Sequence, residues 1–177
     1  MKKLLFIILF ISSAFGVKAQ NTIKFLGIPI DGTKKEMIAK LEAKGYEYNS
    51  IEDWLVGEFN GNNVVIQVQT VNNRVWRIIV TDMSFTDEAN IKILFNNLFD
   101  QFSNNQKYTL IDGRKLSDKD DISYEITVHN KRYEAYFGLV DKSINGRVWY
   151  LIRELYGKYC IVIFYENWDN AANGEDL

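Results

Sequence analysis

The chain has 177 residues, 47% of them hydrophobic and 25% charged, with 21 lysines and arginines against 23 aspartates and glutamates. A mildly acidic chain of ordinary globular composition offers no basic field to nucleic acid or to an anionic membrane, and neither is expected as a partner. A single cysteine, Cys160, and a single histidine, His129, rule out an internal disulfide and a soft-ligand metal cluster, so no cofactor or metal is expected.

Residues 1–19 have the layout of a secretory leader. MKK is basic, LLFIILFISSAFGV is apolar, and Val17-Lys18-Ala19 puts small residues where a signal peptidase reads. Cleavage before Gln20 leaves 158 residues and removes Lys2, Lys3 and Lys18, so 18 bases face 23 acids and the net charge becomes −5. The apolar run is short for a full span, no second run follows, and no cysteine follows it to carry a lipid. The expectation is an exported protein, periplasmic or extracellular, with no stable membrane anchor after cleavage. Residues 20–168 make one domain, or two similar lobes at about 23–82 and 84–168 sharing a core.

IKFLGIPI reads as an extended lead-in, with Pro29 arguing against helix. Thr33 followed by Glu36 is a capping box. Met37, Ile38 and Leu41 form a helical stripe and Gly45 ends it, so a helix is predicted over 34–44. Three strands follow: DWLVGEF, VVIQVQT and RVWRIIVTD. In the second, Val64, Ile66 and Val68 alternate with Val65, Gln67 and Gln69. A second helix opens near Thr86, with Asp87 and Glu88 in its first turn and Ile91, Leu94, Phe95, Leu98 and Phe102 at the helical period. SNNQKYTLIDGRKLSDKDD is polar and turn-rich, and reads as a mobile loop or lobe boundary. Four further strands are predicted from ISYEITV, RYEAYFGL, RVWYLIREL and KYCIVIFYEN. The tail 169–177 lacks periodicity and is expected to fray. The fold class is α+β: two helices each followed by an antiparallel β-meander (helix, three strands, helix, four strands), with the helices on one sheet face.

Asn-x-Arg-apolar occurs three times, as NNRV at 72, NKRY at 130 and NGRV at 145. Asn tolerates positive φ, so each reads as a hairpin turn with Arg opening the returning strand, and Asn145-Gly146 is the strongest such signal. Two residues separate Arg74 from Trp76 and Arg147 from Trp149, which puts each pair on one strand face. The repetition reads either as hairpin chemistry used again or as a duplicated helix-plus-meander unit. Outside the phrase the halves do not align at the 73-residue offset.

IKFLGIPIDGTKKEMIAKLEAKGYEY, VHNKRYEAYF and the terminal NGEDL resemble a group of small secreted proteins of Gram-negative bacteria with no assigned activity; the resemblance implies export. The helix-then-meander order, used twice, is similar to the β-lactamase inhibitor protein fold, an analogy of element order that carries no residue across.

No catalytic signature stands out. His129 reads as a solvated turn residue. Cys160, within KYCIVIFY, reads as a buried thiol. DKDD at 118–121 lacks the ligand spacing of a calcium loop and reads as a solvated acidic loop. Gly32-Thr33-Lys34-Lys35 lies at a helix N-terminus, where capping accounts for it without an anion. Glu58, Glu125, Glu134 and Glu154 are expected on strands, and a cryptic carboxylate-based hydrolase would need two of them in one pocket. The remaining signal is aromatic. Arg74, Trp76, Tyr136, Arg147, Trp149 and Tyr165 are the candidate binding face, since Trp, Tyr and Arg dominate interface hot spots. The expected function is an exported, non-enzymatic binding module whose partner is a protein, peptide or glycan of the cell envelope. The alternatives are that hydrolase and an accessory structural subunit of an envelope complex.

Overall fold

A computed structural model describes residues 22–171; the expected leader and the segment 172–177 lie outside the described residues. The lead-in is a small hairpin, β1 (Lys24–Phe25) and β2 (Ile28–Pro29). Next comes α1 (Lys34–Glu42), held by the expected capping box: Glu36 N–H donates to the Thr33 hydroxyl (3.3 Å) and Thr33 N–H donates to the Glu36 carboxylate (2.8 Å). The strands β3 (Glu47–Asn49), β4 (Trp54–Phe59), β5 (Asn62–Val71) and β6 (Arg74–Asp82) follow. The second half runs α2 (Glu88–Ser103), β7 (Tyr108–Asp112), α3 (Ile122–His129), β8 (Glu134–Leu139), β9 (Gly146–Leu155) and β10 (Lys158–Asn167), closing on a 3-10 turn at Trp168–Asn170.

Eight strands form one antiparallel sheet in the order β3-β4-β5-β6-β10-β9-β8-β7. Each half contributes a leading helix and four strands, with α3 set between β7 and β8 in the second, and the halves meet at β6 and β10, the last strand of each. The α+β class and the antiparallel sheet therefore match the sequence reading, while the element count does not.

ISYEITV is α3 rather than a strand. Asp121 accepts from Tyr124 N–H (2.9 Å), Glu88 of α2 accepts from Ile122 N–H (2.9 Å), and Asn130 at φ 50° ends the helix. Ile122 is its one fully buried residue, so the segment carries no helical stripe to weigh against its β-branched composition. The connection expected to be a mobile loop contains β7, an edge strand on β8 whose side chains are mostly exposed. With neither face buried it shows no alternation. The short edge strand β3 escapes for the same reason. The tail expected to fray beyond Trp168 runs on through Asn170, whose buried amide donates to Asp31 Oδ1 (2.9 Å) and Val75 O (2.8 Å).

The repeated phrase resolves into three different structures. Asn72-Asn73 is a two-residue hairpin with both φ positive, as are Asn60-Gly61 and Tyr156-Gly157. Asn130 caps α3. Asn145-Gly146 is no hairpin turn: it opens β9 after a loop, and a Cβ at Gly146 would stand 2.5 Å from Glu166 O. That glycine serves a close backbone approach, not a positive φ. The two NxRVW stretches also fall on non-equivalent strands, the fourth of the first half and the third of the second.

Register sorts the side chains into rows. Ile66, Val80, Ile163, Tyr150 and Ala135 pair in succession across β5, β6, β10, β9 and β8, and all are buried. This face carries α1 and α2, which bring Met37, Leu41, Ile91, Phe95, Leu98 and Phe102 into one core. Tyr150 O–H donates to Phe95 O (3.1 Å), and burial pushes its phenol well above the usual range.

Candidate binding face and clefts

One residue further along each strand, the pairing Gln67–Ile79–Phe164–Trp149–Tyr136 points to the opposite face, which carries no helix among the described residues. Three of its members are stacked rings. Trp149 lies parallel to Phe164 (centroids 3.9 Å, 6°) and nearly parallel to Tyr136 (5.3 Å, 17°). Such stacking buries ring faces against one another, and Trp149 is only 8% exposed. Beside it Ile79, Cys160 and Val162 make a small second cluster, with Leu151 and Phe164 packed on them.

The neighbouring row on the same face is Gln69–Arg77–Glu166–Arg147–Gly138. Glu166 is fully buried between two arginines, at 2.6 Å from Arg77 Nη2 and 2.7 Å from Arg147 Nε. Both guanidinium groups remain partly exposed, so they shield the carboxylate and keep one side toward solvent. They also lie over rings. Arg77 is 3.8 Å from the Trp76 ring centroid and 5.6 Å from that of Phe164; Arg147 is 5.1 Å from Tyr136 and 4.7 Å from Trp168. Rings and guanidinium groups thus run without a break from Trp76 on β6 to Tyr136 on β8.

Of the six sequence-derived candidates, Trp76, Tyr136, Arg147 and Trp149 come together in this array. Trp76 reaches it through an irregularity: the register passes from Gln69↔Arg77 to Thr70↔Val75 and leaves Trp76 unpaired. Tyr165 does not join. Its row, Val68–Ile78–Tyr165–Val148–Phe137, belongs to the helix-covered face, where its ring packs on Phe25 (5.0 Å) at 7% exposure. Arg74 does not join either: its Nη2 meets Asp31 Oδ1 (2.8 Å) in the clasp that Asn170 completes. Arg77, Phe164, Glu166 and Trp168 belong to the array and were not foreseen. The signal for two of them was Glu166 in an otherwise apolar strand: a lone carboxylate marks the face shared with Phe164.

The carboxylates weighed for hydrolysis are dispersed. Glu58 lies on β4, Glu125 on α3 rather than a strand, and Glu134 at the start of β8 beside Arg132 (3.0 Å); Glu154 accepts from Gly157 N–H (2.6 Å) in the β9–β10 turn. Three concavities carry one carboxylate each. A cleft of about 290 Å³ under α2 holds Asp82, its neighbour of about 330 Å³ holds Glu58, and a polar hollow of about 390 Å³ beside Trp76 holds Asp53. Asn60 on the β4–β5 turn bridges to Gln101 on α2 (3.0 Å), and both residues line the first two clefts.

The remaining candidates are structural. DKDD is not simply solvated: Asp120 is buried and bonds Arg114 (2.5 and 3.0 Å) and Ser117 N–H (2.8 Å), and Asp121 caps α3. The Arg114 guanidinium, helped by Ser117, holds the Asp120 carboxyl well below the usual carboxylate range. Cys160 is buried at the middle of the sheet, where desolvation pushes its thiol up to about 11. His129 ends α3 against the Tyr124 ring (5.2 Å). Among the described residues no three metal-ligating side chains lie together, and no helix is long and apolar enough to cross a membrane.

Comparison with protein-family models, with curated proteins and with solved structures found no match.

Proposed function

We propose that this chain is an exported, non-enzymatic binding module that holds a protein partner against the helix-free face of its sheet. The observation that carries the reading is the ring-and-guanidinium array from Trp76 to Tyr136, on a face that no helix covers among the described residues. The geometry favours a protein over a glycan. A sugar stacks on an open ring face, but here the ring faces of Phe164, Trp149 and Tyr136 are spent on one another and on Arg77 and Arg147. What remains outward is ring edge, which carries the positive end of the quadrupole, and the free sides of two guanidinium groups. Backbone carbonyls and carboxylates of a polypeptide suit that surface. Export rests on the leader pattern of residues 1–19, and the resemblance to small secreted proteins supports it.

Affinity capture from envelope and culture-medium extracts tests the reading, with a Trp76→Ala/Tyr136→Ala protein of verified fold as the paired bait. A protein retained by the native surface and lost from the variant is the expected result. Equal retention by both, or none by either, would sink it.

A further inference from the structure

The 290 Å³ cleft under α2 is a second candidate site, independent of the sheet face. Val80, Ile161 and Ile163 form its floor and Leu94 and Leu98 its helical wall. The amides of Asn60, Asn97 and Gln101 line its mouth. Its one formal charge is Asp82, only 7% exposed. Asp82 Oδ1 accepts from Ser84 N–H at 2.7 Å, which fixes the carboxylate, and Oδ2 has no hydrogen-bond partner among the described residues. No lysine or arginine lines this cleft or its neighbour, whose own charge is Glu58.

We infer that this cleft binds a small primary alkylamine, its chain on the isoleucine floor and its ammonium on Asp82 Oδ2. The volume, at the lower end of small-molecule sites, suits a short unbranched chain. A carboxylate with apolar walls on one side attracts a cation strongly, because little water screens the pair. An ammonium has three donors, and the amide oxygens at the mouth can take those that Asp82 does not. An alkyl carboxylate of equal length would bring like charge against Asp82 and is excluded.

The test titrates purified protein with butyl-, hexyl- and octylammonium, with octanoate and with octanol, following side-chain methyl resonances. Saturable shifts at Leu94, Leu98, Ile161 and Ile163 are expected with the amines. Affinity should rise about fourfold per added methylene until the chain outgrows the floor. Asp82→Asn, which keeps the acceptor for Ser84, should weaken hexylammonium at least about tenfold. Octanoate or octanol binding as tightly as octylammonium would overturn the proposal, as would the absence of methyl shifts. Those comparisons use the unaltered protein and decide the matter even if Asp82→Asn does not fold. Substitutions at Trp76 and Tyr136 should leave amine binding unchanged, so the two sites can fail separately.

Discussion

Ile66–Val80–Ile163–Tyr150–Ala135 and Gln67–Ile79–Phe164–Trp149–Tyr136 are adjacent rows of the same five strands, on opposite faces of one sheet. The first meets a helical layer and is mainly aliphatic. The second meets none among the described residues and is mainly aromatic, with the ionic row Arg77–Glu166–Arg147 beside it. A face with a second layer buries its side chains end-on. A face without one buries them sideways: flat rings stack across strands, and guanidinium groups close over ring and carboxylate alike. Burial values alone hide this, since Trp149 and Tyr150 are both buried. Stability and binding should separate the two faces.

The largest expected effect is on the covered face. Tyr150→Ala removes a fully buried ring and its bond to Phe95, and should cost about 4 kcal/mol in urea denaturation. On the open face Glu166→Gln should cost about 2 kcal/mol. It removes the charge shared by two arginines, but both can turn toward solvent, so the loss stays below that of a sealed ion pair. A loss as large as that of Tyr150→Ala would mean that the ionic row is sealed as tightly as the core. Tyr136→Ala, at the half-buried β8 end of the stack, should cost about 1 kcal/mol while abolishing partner capture, and a loss of several kcal/mol would make the stack core architecture rather than a surface. A pH-dependent effect lies away from both faces. Asp120 titrates lower when folded than when unfolded, so its contribution is complete above the ordinary aspartate value of 3.8 and fades as pH falls below it. Asp120→Asn should therefore be less stable than the native chain at pH 7, and the gap should narrow between pH 4 and 2 in thermal melts.

The faces were unequally legible in the sequence. Val64, Ile66 and Val68 announce a strand with one apolar face, and the Ile91–Phe102 stripe and the Thr33–Glu36 box announce two helices, because each pattern records burial on one side. KYCIVIFY is apolar on both sides, since it lies at the sheet centre, and alternation there cannot say which side meets the helices. Tyr165 was assigned to the wrong face for that reason, and Phe164 overlooked. Trp149 and Arg147 were placed together correctly because a period of two suffices within one strand. Arg77 was missed because the bulge at Trp76 interrupts that period, and a bulge leaves no mark in composition. α3 and β7 were missed because neither buries a full face.

The position of β10 in the sheet has a consequence for the order in which the molecule can be made. This strand is the last among the described residues, yet it sits fourth from one end of an eight-stranded sheet and joins the two halves. Until Lys158–Asn167 is available, β6 and β9 each present a long unpaired edge of nine or ten residues to solvent. A chain shortened by twenty residues at its C-terminus would not lose a peripheral strand; it would be left with two open half-sheets prone to pairing with other chains. Pairing of β10 with both β6 and β9, rather than formation of either half, is the step that closes the sheet.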